Sequence, residues 1–268
     1  MKKSSVVLVA LLAVLAAWAA GGALGLRPLA NMALMSLLAA ALVVLYYYAR
    51  YEEKKSDSKE IGIVATLAAL AVAGRCLFAA VPSFKPSTFV VIVTGYVFGP
   101  LPGFMVGATT ALVSNVFFGQ GPWTVWQMLA WGLAGFVAGL LGPKGLLEGR
   151  WRLALYCAAW GMLFGWIMNV YFVIGFVHPA GWRAFLAACT ASLWFDGLHA
   201  ASNFLFAFLL GPALIAMLGR YRARFFFEEG EQGGRAPAEP EPVSPAGFTA
   251  PAPAAPASPA GFEKEARA

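Results

Sequence analysis

Charge is what this sequence has least of. Only 12% of its 268 residues are Asp, Glu, Lys or Arg, and histidine occurs twice, at His178 and His199. A soluble domain carries about 25% charged residues and roughly 45–50% apolar ones. Here 60% are hydrophobic and the mean hydropathy is +0.71. That apolar excess is too large for a soluble core, so lipid must cover part of it. Cysteine is scarce too. Cys76, Cys157 and Cys189 stand singly in apolar stretches with no CxxC pair, which excludes a disulfide framework and reads as small packing residues. There is no HExxH, no nucleophile elbow and no Gly-rich phosphate loop. Asp196 with His199 supplies too few ligands for a closed metal site. No metal and no cofactor are expected. The net charge of +6 suggests nucleic acid at first sight, but the Lys and Arg residues flank apolar runs, as membrane topology requires.

A spanning helix needs about 20 mostly apolar residues. Such runs cover 6–26, 32–49, 61–81, 88–118, 125–142, 153–177 and 185–218. The fourth is too long for one crossing and is interrupted by GPLPG at Gly99, where two prolines break the helix. It is read as two short antiparallel helices, 88–98 and 104–118, which makes eight. Eight crossings put every basic cluster on one side: Lys2 and Lys3; Arg50, Lys54, Lys55 and Lys59; Lys144, Arg150 and Arg152; Arg220, Arg222 and Arg224. The positive-inside rule makes that side, and both termini, cytoplasmic. Only Arg27, Lys85 and Arg183 fall in the opposite loops. The first run is expected to stay as a helix rather than be cleaved as a signal peptide. Residues 225–268, rich in Ala, Pro, Gly and Glu, cannot bury enough apolar surface to order and are expected to form a disordered tail.

Polar residues inside a membrane usually face a cavity or the bundle interior. Here they gather in the outer half of the last six helices. Arg75 lies near the outer end of its helix. Asn115 leads into a loop with Gln120, Trp123, Trp126 and Gln127. Asn169 and Tyr171 approach the outside, and Asp196, His199 and Asn203 share one helix face at i, i+3 and i+7. This is the layout of a ligand site open to the outside, with Trp123, Trp126 and Trp194 available to stack on a flat molecule. Taken singly, Arg75 could merely neutralise Asp196, His199 could bond between helices, and the tryptophans could form an interfacial belt. The rival function is a membrane-embedded hydrolase or transferase using Asp196 and His199. Ala65, Ala69 and Ala73 form a small-xxx-small ridge that permits close helix approach.

With six hydrophobic segments from Ile61 to Leu218, that ridge, Gly74-Arg75, VPSFKP at Val81 and above all GQGPWTVWQM at Gly119, the chain resembles the substrate-binding membrane subunit (S component) of energy-coupling factor transporters. The resemblance covers about 160 residues. It implies an all-α membrane protein with a six-helix core at 61–224, preceded by two extra helices within 1–60. It implies a non-enzymatic subunit of the cell membrane that captures a vitamin or related micronutrient from outside. Such a subunit docks on a transmembrane coupling subunit carrying two ATPases, through Ala65, Ala69 and Ala73. The substrate it points to is a cobalamin-like corrinoid, held by Arg75, Asn115, Gln120, Trp123, Trp126, Gln127, Asn169, Asp196, His199 and Asn203.

Overall fold

The computed structural model describes residues 2–24, 31–54 and 58–226. Arg27, Lys55 and the expected disordered tail lie outside these residues, apart from residues 225 and 226 at the end of the final helix. The described residues are helical, without a strand, in eight α-helices: α1 Lys3–Leu24, α2 Met32–Glu53, α3 Ser58–Leu77, α4 Ser87–Phe98, α5 Pro100–Phe118, α6 Trp123–Leu141, α7 Arg150–Phe176 and α8 Trp182–Phe226. Seven are long and apolar enough to cross a membrane, and α4 is a shorter apolar helix of 12 residues.

The interrupted fourth run does split into a hairpin, but the break is narrower than GPLPG suggests. Gly99 alone makes the turn, at φ 99°, and α5 begins at Pro100 rather than Phe104. Pro100 and Pro102 sit in the first turn of α5, where the backbone N–H groups have no intrahelical acceptor and proline costs nothing. At 12 residues α4 is about 18 Å long, too short to span the roughly 30 Å hydrocarbon layer alone. It needs no lipid contact. All its residues except Tyr96 and Phe98 are buried among neighbouring helices.

Glycine makes that enclosure possible. The helices α4, α5 and α6 approach so closely at Gly95, Gly103, Gly107, Gly132, Gly135 and Gly139 that a Cβ at any of them would lie under 3.0 Å from a neighbouring atom. Lipid tails are as apolar as leucine, so packing of this kind, rather than escape from water, holds such helices together. Around the weld lie Phe89, Ile92, Val93, Val106, Ala138 and Leu153.

The basic clusters meet at one end of the bundle. Lys3 pairs with Glu52, Lys54 pairs with Glu60 at 2.8 Å, and Arg222 Nη1 donates to the Val97 carbonyl at 2.6 Å. The two N-terminal helices are part of this bundle. In α2, Tyr47 stacks on Phe104, with ring centroids 4.1 Å apart, and the Tyr48 hydroxyl lies 3.2 Å from Thr109 Oγ1. Ser4 and Glu53 then clasp α1 to α2 through two hydrogen bonds of 2.7 and 2.6 Å.

Candidate functional site

At the other end of the bundle the polar residues form three connected groups. In the first, the Arg75 guanidinium on α3 donates to Ser114 Oγ and, at 2.8 Å, to Asn115 Oδ1. Asn115 passes the network to α6, donating to Thr124 Oγ1 at 2.9 Å and to Gln127 Oε1 at 2.8 Å. Thr124 donates to Gln120 Oε1 at 2.9 Å, and Gln120 donates back to the Leu112 carbonyl at 2.8 Å. The motif at Gly119 is therefore a turn that locks the end of α5 to the start of α6. Only Gly119–Pro122 lie outside helix. Trp123, Trp126 and Gln127 stand on the first turns of α6, not on a loop as the sequence suggests.

A second group links the first to α8. The Arg75 guanidinium lies over the rings of Phe118, at 4.7 Å, and Trp131, at 5.0 Å. Trp131 Nε1 donates to Thr88 Oγ1 at 2.9 Å, and Thr88 Oγ1 lies 2.9 Å from His199 Nε2. Trp131 also stacks on Phe164, which touches the His199 ring. Beside it runs the segment 78–86, exposed at residues 79–82 and anchored to α8 at its two ends. Phe78 and Phe84 pack on Phe206 of α8, and the Lys85 backbone meets Ser202 Oγ at 3.4 and 3.5 Å. Irregular backbone among spanning helices is tolerated where protein covers it or where it lines a cavity. Burial first, and the neighbouring Arg75 charge second, push the Lys85 ammonium down to about 8.

The third group belongs to α7 and α8. Asp196 Oδ2 accepts from Ser192 Oγ at 2.7 Å, and Asn169 Nδ2 donates to the same hydroxyl at 2.9 Å. The carboxylate lies directly against Gly165, where a Cβ would come within 2.0 Å of Oδ1. Arg75 and Asp196 are thus not paired: Arg75 turns to neutral partners on α5, and Asp196 to Ser192 on its own helix. Asp196 and His199 likewise have separate partners and form no acid–base dyad.

Of the expected site residues, Arg75, Asn115, Gln120 and Gln127 come together in one hydrogen-bonded set, and His199 joins them through Trp131 and Thr88. Asn169 and Asp196 make the separate third group. Trp126 is buried beside Tyr171, at 6.1 Å between centroids, and its Nε1 has no acceptor. Asn203 is fully buried, and neither atom of its amide is hydrogen-bonded. Trp123 is 37% exposed. Trp194 is 72% exposed on the outer face of α8 and is removed from the candidate stacking residues. Sequence reasoning missed Thr88, Ser114, Thr124, Trp131 and the backbone contact of Lys85 with Ser202. The signal available was the SFKPST string, a polar run too short to form a spanning helix.

These features define a helical membrane protein with apolar helices outside and polar groups gathered inside one end of the bundle; among the described residues no three metal-ligating side chains come together. Residues 55–220 match the family described as ECF-type riboflavin transporter, S component, and the chain belongs to that family. The family is one of transporter subunits and not of enzymes, which removes the ground for the hydrolase or transferase reading. A UPF0397 protein of Vibrio atlanticus (strain LGP32) is 35% identical over 89 residues, covering 31% of this chain and 48% of that protein. The chain thus spans about half the length of this curated relative. No solved structure matches the chain.

Proposed function

We propose that this chain is the substrate-binding subunit of a vitamin-uptake system in the plasma membrane, working with a transmembrane coupling subunit and a pair of ATPases. Its ligand would sit among Arg75, Asn115, Gln120, Trp126, Gln127, Asn169, Asp196, His199 and Asn203, with Trp123 at the entrance. The observation that carries this reading is the set of polar groups left incomplete. Trp126 Nε1 and both amide atoms of Asn203 are buried without partners, and unsatisfied buried groups each cost about 1–3 kcal/mol. A ligand bearing both donors and acceptors would satisfy them. The family description names riboflavin, so a flavin replaces the corrinoid as the first molecule to test. The basic end, with both termini, would face the cytoplasm and the site would face outwards.

Purified protein is expected to melt roughly 5–10 °C higher in the presence of its vitamin at about 100 times Kd. A panel beginning with riboflavin and including cobalamin is the direct measurement. A well-folded chain that responds to no vitamin would sink the reading.

Docking is proposed to use α3. Ala65, Ala69 and Ala73 lie exposed along one face of that helix, together with Ile61 and Leu70. Small side chains there would let a partner helix approach closely. Ala69→Trp or Ala73→Trp is expected to abolish co-purification with the coupling subunit while ligand-induced stabilisation persists. Intact complexes carrying either tryptophan would move the docking face elsewhere.

A further inference from the structure

Outward of Phe164 and His199, α7 and α8 are fastened to each other rather than to the rest of the bundle. Gly161 and Gly165 bring them together, since a Cβ at either would lie under 3.0 Å from α8, at Ala200 and Asp196. Asn169 then bonds across to Ser192 at 2.9 Å. Towards α6 the two halves of α7 differ. In the inner half Tyr156 and Trp160 donate to the Ala134 and Ala130 carbonyls, both at 3.1 Å. In the outer half, residues 165–198 make no hydrogen bond outside the α7–α8 pair among the described residues. Their ring contact with the bundle is Tyr171 on Trp126. Asn169 and Tyr171 stand two positions apart, a rotation of about 200°, so one side chain serves α8 and the other meets α6. The pair is pinned at its inner end and meets α6 through apolar contact at its outer end.

Trp126 and Tyr171 do not lie flat on one another. Their centroids are 6.1 Å apart and their planes differ by 43°, so the two rings form a wedge. A flat ring touching both faces needs about 7 Å, two carbon contacts of ~3.5 Å each, which asks the outer end of α7 to yield by about 1 Å. Phe176, 63% exposed at the end of α7, stands edge-on to Tyr171 at 5.7 Å. An aromatic row thus leads from the outer rim to the buried Trp126. At its inner end Trp126 Nε1 is buried without an acceptor, and a buried donor of this kind is costly until something accepts from it.

We propose that the ligand carries a flat aromatic ring, which Trp126 and Tyr171 clamp from opposite faces, and that a substituent of this ring accepts the Trp126 Nε1 hydrogen bond. This rests on the reading of the chain as a vitamin-binding subunit and names the chemical class of what it binds. Tyr171 becomes a ligand-binding residue, although it hydrogen-bonds to nothing among the described residues. The outer half of the α7–α8 pair is the jaw that moves, and Tyr156 and Trp160 hold its fixed end.

Thermal stabilisation and ligand titration of the full chain test this with two sets of vitamins. Riboflavin, thiamine and pyridoxine carry flat heteroaromatic rings; biotin and pantothenate do not. The vitamin that binds is expected to come from the first set. With it, Tyr171→Phe is expected to bind within about twofold of the native chain and Tyr171→Leu about tenfold or more weaker, the scale of one stacked aromatic contact. Trp126→Phe, which keeps a ring and lacks the donor, is expected to bind about tenfold weaker. Melting of the empty proteins shows that each variant is folded, and Tyr171→Met replaces the leucine variant if that one is not. Tight binding of biotin or pantothenate alone overturns the clamp and leaves the uptake reading standing. Native affinity in Tyr171→Leu, or an equal loss in Tyr171→Phe, also overturns it, because the ring would then not be what holds the ligand. Native affinity in Trp126→Phe overturns the Nε1 contact. Failure of both sets on a folded chain overturns the uptake reading and the clamp together.

Discussion

Arg75→Met is expected to weaken ligand binding by at least about 100-fold while leaving the empty protein no less stable than the native chain. The first half follows from position: Arg75 is a buried donor at the centre of the polar network, and removing one partner of a buried charged contact commonly costs 2–5 kcal/mol or more. The second half follows from what Arg75 lacks. Its charge is carried by Ser114 and Asn115 alone, with the faces of Phe118 and Trp131 against it. A buried ion without a counter-ion is costly, and an apolar chain of similar length relieves that cost. Against it stands the loss of the donor to Asn115 Oδ1, worth about 1–3 kcal/mol. Asn115 keeps its bonds to Thr124 and Gln127, so the turn between α5 and α6 stays closed. Thermal unfolding of the empty protein and ligand titration separate the two halves. A protein that melts earlier yet binds normally would make Arg75 a structural brace.

The weld between α4, α5 and α6 makes the opposite prediction. Gly135→Ala is expected to destabilise the fold by about 3 kcal/mol, at the upper end of ordinary overpacking. The new methyl group would lie 2.3 Å from the Gly103 carbonyl oxygen and 2.5 Å from its carbonyl carbon. Both are backbone atoms, so no rotamer change relieves the clash; the helices must part. Gly219→Ala is the control, because nothing lies within 4 Å of its Cβ position. Alanine is favoured over glycine in a helix by up to about 1 kcal/mol, so stability there should hold or rise. Equal behaviour of the two proteins in denaturant or thermal unfolding would mean that the close approach at Gly135 is not what holds the three helices.

Much of the site could be read before its geometry was known. The GQGPWTVWQM string marked the turn that the structure closes through Asn115, Thr124 and Gln120. The spacing of Ala65, Ala69 and Ala73 identified one helix face, and that face is exposed. Partner choice was another matter. A pairing of Arg75 with Asp196 was one reading of two rare buried charges, yet Ser114 and Asn115 of α5 take Arg75, and Ser192 of the same helix takes Asp196. Trp194 counted among the tryptophans available to stack on a ligand, but two helical positions from Asp196 is a rotation of about 200°, and it faces outwards.

The sequence by itself determined that this is a membrane protein of eight helices with its basic loops grouped at one end. Length of apolar run, proline and charge are local properties, and the bilayer converts them directly into crossings. Only the tertiary structure decided which side of each helix faces inwards. Lipid and protein interior are both apolar, so a spanning helix carries little of the polar–apolar contrast that orients a helix in water. What orients these helices is close contact at Gly95, Gly103 and Gly135, together with the few polar side chains that find one another.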